Sequence, residues 1–247
     1  MQRIFLTTSP DPSFVPLSPT TFHHLIHVCR LGLGDALEAV HDGQLYTMSI
    51  TRIDTERTGI GVAITDHHPL REKTATVSII QSLPKQDKLT TIVGLCTQAG
   101  CESFHPIISD HCQVSAVSPN KHQRALTAID TAAKQSRQPR IPMLHNAQGL
   151  SDFLNNAPWP NSAILLLADE ASDDTASLPW PPWPPIYIAI GPEGGWSPQD
   201  RSAFLDCGFQ PFTMGPTILR TEYAGFAAMH YVAGQLNRAT TISTTHR

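Results

Sequence analysis

The stretch that decides the fold is residues 186–198, which read IYIAIGPEGGWSP. Its five leading apolar residues are typical of a strand that a parallel sheet buries on both faces. Three glycines within the next five residues leave the backbone open to close approach by a flat or extended ligand. Ser197 and Pro198 then form a helix N-cap with proline at the first helical position. The stretch therefore predicts a buried strand, a ligand-binding loop and a helix.

The surrounding sequence repeats this pattern of strand and helix. Residues 164–168 form a second continuous apolar run, and apolar residues at helical spacing follow an alternating run at residues 74–80. A second Gly-Pro loop separates a strand ending at Met214 from a helix that Thr221 and Glu222 are expected to cap. The alternation predicts an α/β fold with a mainly parallel sheet over residues 72–247. Loops at the carboxyl ends of its strands predict a crevice for a small molecule.

Residues 1–71 read as a separate, mostly β domain. Asp42 and Gly43 stand between two strand-like runs, and this dipeptide favours a type I′ hairpin because both central residues need a positive φ. Phe22 and Leu25 begin a helical spacing after Pro19. A small β barrel with one helix fits this pattern.

Composition excludes several classes of protein. The formal net charge of −4 excludes an indiscriminate polyanion binder, although residues 121–140 carry five basic residues and one acidic one. No apolar run reaches the ~18–20 residues that span a bilayer. Five cysteines without a tight repeat predict reduced thiols and a cytoplasmic location. The Trp- and Pro-rich residues 180–185 predict a stiff surface connector.

Two ordered motifs carry a resemblance to a known family. GPEGGWS at residues 191–197 and GPTILRTEYA at residues 215–224 resemble the signature of the small-subunit (16S) ribosomal RNA uridine-N3 methyltransferases of the SPOUT superfamily. Arg3, residues 28–35 and residues 85–88 match other family motifs in the same order. The resemblance implies a PUA-like RNA-binding β barrel over residues 1–71 and a methyltransferase domain with a C-terminal trefoil knot over residues 72–247. It also implies S-adenosylmethionine (SAM) as cofactor, 16S rRNA or the small ribosomal subunit as partner, and a homodimer with its active site across the interface.

The same resemblance implies three sets of site residues. Arg220 is expected to stabilise negative charge on the uracil ring, because a guanidinium is always charged and offers a planar fork of donors. Glu222 is the expected proton acceptor, with Glu193 as the alternative and with helix-dipole and loop-holding roles as the rival explanations. The cofactor set is Leu167, Ile190, Gly191, Pro192, Glu193, Gly194, Gly195, Met214, Gly215, Ile218 and Leu219. The RNA set is Arg3, His24, Arg30, Lys85, Lys88 and Arg137.

No metal site is predicted. His23 and His27 stand four residues apart without the glutamate of a zinc protease, and the spacing of Cys96, Cys101 and Cys112 matches no zinc motif. Buried cysteines of this kind act as small apolar side chains.

Departures from the commoner family pattern leave two alternatives open. They lie at Gln98, His111, Lys134, Gln138, Thr217 and Tyr223. One alternative is an RNA-binding protein with the same fold that has lost turnover. The other is a methyltransferase that acts on a different RNA base.

Overall fold

The chain is described by a computed structural model that covers residues 1–70, 75–156, 159–172 and 184–245, with side chains of the last helix described to Leu236. It forms two compact units. The first comprises Met1–Glu72 with Ala133–Ile141, and the second comprises Lys73–Ala132 with Pro142–Arg247. Most of the predicted connector at residues 180–185 lies outside the described residues.

The first unit is built on a five-stranded sheet in the order β1-β3-β4-β5-β2. Its strands are β1 (Gln2–Phe5), β2 (Val15–Pro16), β3 (Ala36–His41), β4 (Gln44–Asp54) and β5 (Gly59–Pro69). Only the β1–β3 pair is parallel among the pairings described. No ladder joins β1 to β2 within the described residues, so closure into a barrel stays a prediction.

Local signals of the first unit are confirmed. Asp42 and Gly43 form a two-residue turn with φ values of 44° and 70°, as a type I′ hairpin requires. Helix α1 (Pro19–His23) begins after Ser18, whose side chain accepts a hydrogen bond from the Thr21 amide. A π-helical turn (His24–Val28) continues it, and Phe22 and Leu25 are buried in the core of this unit.

The second unit contains a fully parallel sheet in the order β12-β10-β11-β6-β7-β8, with β9 also paired to β7. Its strands are β6 (Val77–Ser82), β7 (Ser103–Ile108), β8 (Met143–Leu144), β9 (Gln148–Gly149), β10 (Ile164–Ala168), β11 (Ile186–Ile190) and β12 (Gln210–Phe212). The helices are α2 (Lys88–Gln98), α3 (Pro119–Gln135, shared with the first unit), α4 (Leu150–Asn155), α5 (Pro198–Asp206) and α6 (Thr221–Thr245). The predicted α/β class with a parallel sheet is confirmed.

Helices cover both faces of this sheet, which explains the continuous apolar strands. In β11, Ile188 and Ile190 lie in a core with residues of α2 and α6, whereas Ala189 lies in a second core with Phe153 of α4 and Phe204 of α5. A strand buried on both faces has no solvent side, so its sequence shows no polar alternation.

The order of the strands creates a switch point between β6 and β11. From β6 the sheet extends through β7 to β8, and from β11 it extends the other way through β10 to β12. In open α/β sheets the loops at the carboxyl ends of two such strands part and leave a crevice. The glycine-rich loop follows β11 at this point.

Two details of the second Gly-Pro segment differ from prediction. The strand ends at Phe212 and not at Met214, because only its three residues pair with β10. Thr221 is not the N-cap of α6, because it is the first residue of the helix; its hydroxyl donates to the carbonyl of Gly191 and accepts from the side chain of Gln81. The carbonyl of Arg220 accepts the first hydrogen bonds of the helix, from Tyr223 and Ala224.

Candidate active site

The glycine loop, residues 191–196, is a short turn held from several sides. The amide of Gly195 donates to the carbonyl of Pro192 at 3.0 Å, and Gly195 has a φ of 67°, a value that favours glycine. A Cβ added to Gly191 would lie 3.4 Å from the ring of Trp196. The ring NH of Trp196 donates in turn to the carbonyl of Ala168 at the end of β10 (2.9 Å).

The start of α6 contacts the first residue of this loop. Thr221 is buried, and its hydroxyl donates to the carbonyl of Gly191 at 2.7 Å. The side-chain amide of Gln81, at the end of β6, donates to the same hydroxyl at 3.1 Å. The switch point and the last helix are therefore joined through one hydroxyl group.

Glu193 is held by the segment that follows β6. Its carboxylate accepts a hydrogen bond from the backbone amide of Lys85 at 3.1 Å and one from the Lys88 ammonium at 2.9 Å. Burial raises the pKa of Glu193, but the hydrogen bonds and charge of Lys88 and the amide of Lys85 outweigh it, so the net shift is downward. Glu193 is thus a charged acceptor whose bonds hold the loop.

Lys88 also pairs with Glu222. Its Nζ lies 3.3 Å from Oε2 of Glu222, and the hydrogen bond to Glu193, followed by smaller contributions from Glu222, raises the pKa of Lys88 despite an opposing effect of burial. Glu222 is buried, and its Oε2 accepts no hydrogen bond of good geometry from the described residues. Arg220 is 80% exposed, and its Nη1 lies 3.8 Å from Oε1 of Glu222.

His111, in the segment after β7, holds the far end of the glycine loop. Its Nδ1 lies 3.0 Å from the carbonyl oxygen of Gly194 and 3.1 Å from that of Gly195. Because a carbonyl only accepts, Nδ1 carries the proton and donates to both. The sequence analysis treated His111 only as a departure from a family pattern.

The second Gly-Pro loop, residues 213–220, presents apolar side chains to solvent. Ile218 is 77% and Leu219 39% exposed, and Tyr223 on the first turn of α6 is 52% exposed. Gly215 has a φ of 131°, and its carbonyl accepts from the Thr213 hydroxyl. Exposed apolar groups beside a bare glycine loop form a surface on which a flat aromatic ligand can stack.

The predicted cofactor residues divide into two groups. The first group lies in the loops that follow the carboxyl ends of β11 and β12, and it comprises residues 191–195, Met214, Gly215, Ile218 and Leu219. The side chains of Leu167 and Ile190 are buried in the two cores of the second unit. These two residues face a ligand only through their backbone.

The predicted RNA residues also divide. His24, Arg30 and Arg137 are exposed in the first unit, whereas Arg3 is 7% exposed there. Arg3 pairs with Glu38 at 2.7 Å and donates to the carbonyl of Arg137 at 2.8 Å. Its donors are therefore engaged inside the first unit.

The two predicted lysine contacts lie beside the glycine loop of the second unit. Lys85 is half-buried and supplies its backbone amide to Glu193. Lys88 points its ammonium at two carboxylates. The structure thus brings Lys88 together with the predicted catalytic residues.

The structure shows no metal cluster in the part of the chain that it describes. The rings of His23 and His27 are 5.1 Å apart, and Cys96 and Cys101 are buried thiols. Within the same residues, no helix is long and apolar enough to cross a membrane.

The sequence analysis missed Gln81 and the hydroxyl of Thr221 as members of the site. The available signal was Gln81, the one large polar residue of the strand at residues 77–82, which read VSIIQS. Nothing in the spacing of the sequence indicated their contact, because 140 positions separate the two residues.

A parallel sheet with a glycine loop and a charged helix start at its switch point is the arrangement of a small-molecule-dependent enzyme. A model of the RNA methyltransferase domain family matches residues 71–233, more than half of the chain, so the chain belongs to that family.

Individual proteins also resemble the chain. Ribosomal RNA small subunit methyltransferase E of Mycobacterium bovis is 28% identical over 159 residues, which cover 62% of this chain and 61% of that relative. The chain thus spans about three fifths of this relative's length.

Two solved structures have similar folds. The crystal structure of a Ribosomal RNA small subunit methyltransferase E from Neisseria gonorrhoeae, bound to S-adenosyl methionine, has a TM-score of 0.84 at 23% identity and covers 95% of this chain and 97% of that one. A proposed methyltransferase from Legionella pneumophila, in complex with SAM, has a TM-score of 0.81 at 27% identity and covers 94% and 96%.

Proposed function

We propose that this protein is a SAM-dependent methyltransferase that methylates N3 of a specific uridine in 16S ribosomal RNA. The observation that carries the proposal is the glycine loop at the switch point, held by Lys85, Lys88, His111 and Thr221 beside Arg220 and Glu222. Membership of the RNA methyltransferase family and the named relative support the substrate class.

The residues at the loop fit a nucleoside cofactor with a charged amino-acid tail. Bare glycine backbone permits close approach, and the exposed side chains of Ile218 and Leu219 offer an apolar surface for adenine. The backbone of residues 190–195, Met214 and Gly215 would hold the cofactor, with Leu167 contributing only through its main chain. When bound, SAM supplies an electrophilic methyl group on a sulfonium sulfur.

Arg220 is the group that stabilises charge on the target base. Removal of the N3 proton leaves negative charge on the ring oxygens of uracil, and a guanidinium donates to such oxygens without a change of its own protonation. Its 80% exposure leaves the guanidinium free to reach an RNA base from solvent. The target base must be unpaired or flipped out to meet it.

The two candidate bases differ in their surroundings. Glu193 is engaged by the amide of Lys85 and the ammonium of Lys88, and its lowered pKa makes it a weak proton acceptor. Glu222 has weaker contacts: its Oε2 lies 3.3 Å from the Lys88 ammonium without the geometry of a hydrogen bond, and its Oε1 lies 3.8 Å from Nη1 of Arg220. We therefore assign proton acceptance at N3 to Glu222 and loop-holding to Glu193.

RNA contact is proposed for basic side chains of each unit. His24, Arg30 and Arg137 are exposed and serve in the first unit, of which residues 1–71 are proposed to form a PUA-like RNA-binding domain. Lys85 serves beside the site, in the methyltransferase domain of residues 72–247. Arg3 is assigned instead to the packing of the first unit, because its donors are already engaged. Because few basic side chains contact the RNA, its affinity should fall less steeply with salt than the affinity of a strongly basic protein that neutralises many phosphates.

Three further properties complete the proposal. A trefoil knot is supported by the path of the chain, which leaves β12 at one edge of the sheet and returns through Thr221 to Gly191 and Gln81 near its centre. A homodimer with the active site across its interface is supported by the exposed apolar Ile218, Leu219 and Tyr223. An rRNA substrate agrees with a cytoplasmic location.

Two measurements test the proposal. Calorimetry of the purified protein with SAM should show binding, and a folded protein without binding would refute the enzyme assignment. The protein should also methylate 16S rRNA or small subunits from a strain that lacks the gene, and digestion with mass spectrometry should identify 3-methyluridine. A different methylated nucleoside would show that another base is the target. Arg220→Ala should lose at least 100-fold in kcat with an unchanged circular-dichroism spectrum.

A further inference from the structure

The hydroxyl of Thr221 lies where three parts of the second unit meet. It donates to the carbonyl of Gly191 in the glycine loop, it belongs to the first residue of α6, and it accepts from the side chain of Gln81 at the end of β6. Gln81 is 1% and Thr221 5% exposed, so water does not compete for these bonds.

The orientation of the Gln81 amide follows from hydrogen-bond valence. The Thr221 hydroxyl has one hydrogen, which goes to Gly191 because a carbonyl only accepts. Gln81 must therefore present its NH₂ group to Thr221. The same NH₂ group donates its second hydrogen to the carbonyl of Ser82 at 2.9 Å.

This orientation leaves the Gln81 Oε1 atom buried without a donor among the described residues. A buried, unsatisfied acceptor costs about 1–3 kcal/mol, whereas an apolar side chain of the same shape avoids that cost. Rotation of the amide would place its oxygen against the carbonyl of Ser82 and the hydroxyl oxygen of Thr221, so it would not give the oxygen a donor. The amide is thus oriented by its two acceptors, and the bond to Thr221 is made at the expense of this oxygen.

Thr221 stands between the two proposed catalytic residues. Arg220 precedes it and Glu222 follows it, so the position of its side chain sets the register of both against the glycine loop. Displacement of a catalytic group by 1 Å can reduce a rate by about 100-fold. The charged contact of Lys88 with Glu193 and Glu222 joins the same two elements from solvent, with weaker geometry at Glu222.

We propose that Gln81 and Thr221 are positioning residues: through the hydroxyl of Thr221 they hold Arg220 and Glu222 in place relative to the glycine loop. This inference rests on the proposed function for its catalytic consequence. Neither side chain contacts the reacting atoms in this account.

The test uses five variants of the full chain. Thr221→Val and Gln81→Met remove the link with little change of volume, and Thr221→Ser keeps the hydroxyl. Thr97→Val is the matched control, because Thr97 is also a fully buried threonine, but its hydroxyl has no partner among the described residues. A Gln81→Met/Thr221→Val double variant measures their coupling.

Hydrogen exchange of the protein without cofactor measures the link directly. Peptides that cover residues 187–196 and the first turn of α6 should exchange about 10-fold faster in Thr221→Val and Gln81→Met, and at the normal rate in Thr221→Ser and Thr97→Val. Equal exchange in all variants would overturn the inference. This readout does not depend on whether the protein is a methyltransferase.

Steady-state methylation measures the catalytic consequence. The two variants that break the link, Thr221→Val and Gln81→Met, should each lose about 10- to 100-fold in kcat with the KM for RNA within about twofold, and the double variant should lose no more than the worse of the two. Faster exchange with an unchanged kcat would also overturn the positioning role. If the wild-type protein shows no SAM binding and no methylation, the proposed function fails, and the exchange result still decides the link.

Discussion

Mild acid should destabilise the second unit through one buried histidine. His105 on β7 is 5% exposed, and its ring stacks on that of His145 with centroids 4.2 Å apart. Its Nε2 lies 2.9 Å from the hydroxyl oxygen of Ser103, whose own hydrogen goes to Ser78. The imidazole therefore donates at Nε2.

Burial, assisted by the charge of His145, lowers the pKa of His105 from 6.5 to about 4. Between pH 4 and 6.5 the unfolded chain therefore binds a proton at His105 that the folded protein does not bind, and the free energy of unfolding rises with pH across this window. The contribution is fully present above about pH 6.5 and is lost as the pH falls towards 4. Between pH 7.5 and 5 the expected loss is about 2 kcal/mol, from a full linkage of about 3 kcal/mol.

Urea unfolding at both pH values measures this loss. Trp159 and Trp196 lie in the second unit, so their fluorescence reports its unfolding. With a urea slope of ~2 kcal/mol/M, the midpoint of the wild-type protein should fall by about 1 M on acidification. His105→Gln removes the titrating group while it keeps a polar partner for Ser103.

The variant should lose most of the acid-induced shift, whatever its stability at pH 7.5. The control is His230→Gln, which alters an exposed ring on α6 and should retain the full shift. If wild type and His105→Gln shift equally, the acid sensitivity arises elsewhere and the reasoning is wrong.

Three further perturbations test the site and its support. Lys88→Met should weaken SAM binding about 10-fold by calorimetry, because Glu193 loses its ammonium partner. The pKa of Glu193 should then rise, so that SAM binding declines at a higher pH than in wild type as the solution is acidified. Lys88→Arg keeps the positive charge and should weaken binding less than Lys88→Met. His111→Phe removes the donor to two loop carbonyls and should weaken SAM binding about 3- to 10-fold, with equal affinity contradicting its role in holding the loop. Gly225→Val should lower stability by about 1–3 kcal/mol in the same urea assay, because a Cβ at this position lies 3.0 Å from the buried thiol of Cys96 on α2. Gly234 has open space around it, so Gly234→Ala should leave stability unchanged or raise it by up to ~1 kcal/mol.

Much of the fold could be predicted because its signals are local. Residues 164–168 and 186–190 form β10 and β11 with the bounds that their apolar runs indicate. Helix α2 ends as Gly100 predicts, with Gly100 at φ 95° and the amide of Cys101 bonded to the carbonyl of Cys96. A backbone conformation that depends on neighbours within a few residues is encoded in their identity and order.

The Gly-Pro segment shows where local signals stop. Thr221 is a residue type that favours an N-cap, yet it is the first residue of α6, and its hydroxyl bonds to Gly191 and Gln81, which are 30 and 140 positions away. The same holds for Arg3, which the family resemblance places among the RNA contacts and which pairs with Glu38 and the carbonyl of Arg137 in the first unit.

The sequence by itself determined the parallel sheet, the glycine loop between β11 and α5, and the residue types available for chemistry. Tertiary contacts set how these parts are used: Lys85 and Lys88 engage Glu193, Lys88 pairs more loosely with Glu222, and Gln81 and Thr221 join the loop to α6. The physical reason is the distance along the chain, because a bond across 140 residues leaves no periodic trace in the sequence. Its partners are selected when the sheet brings the carboxyl ends of β6 and β11 side by side.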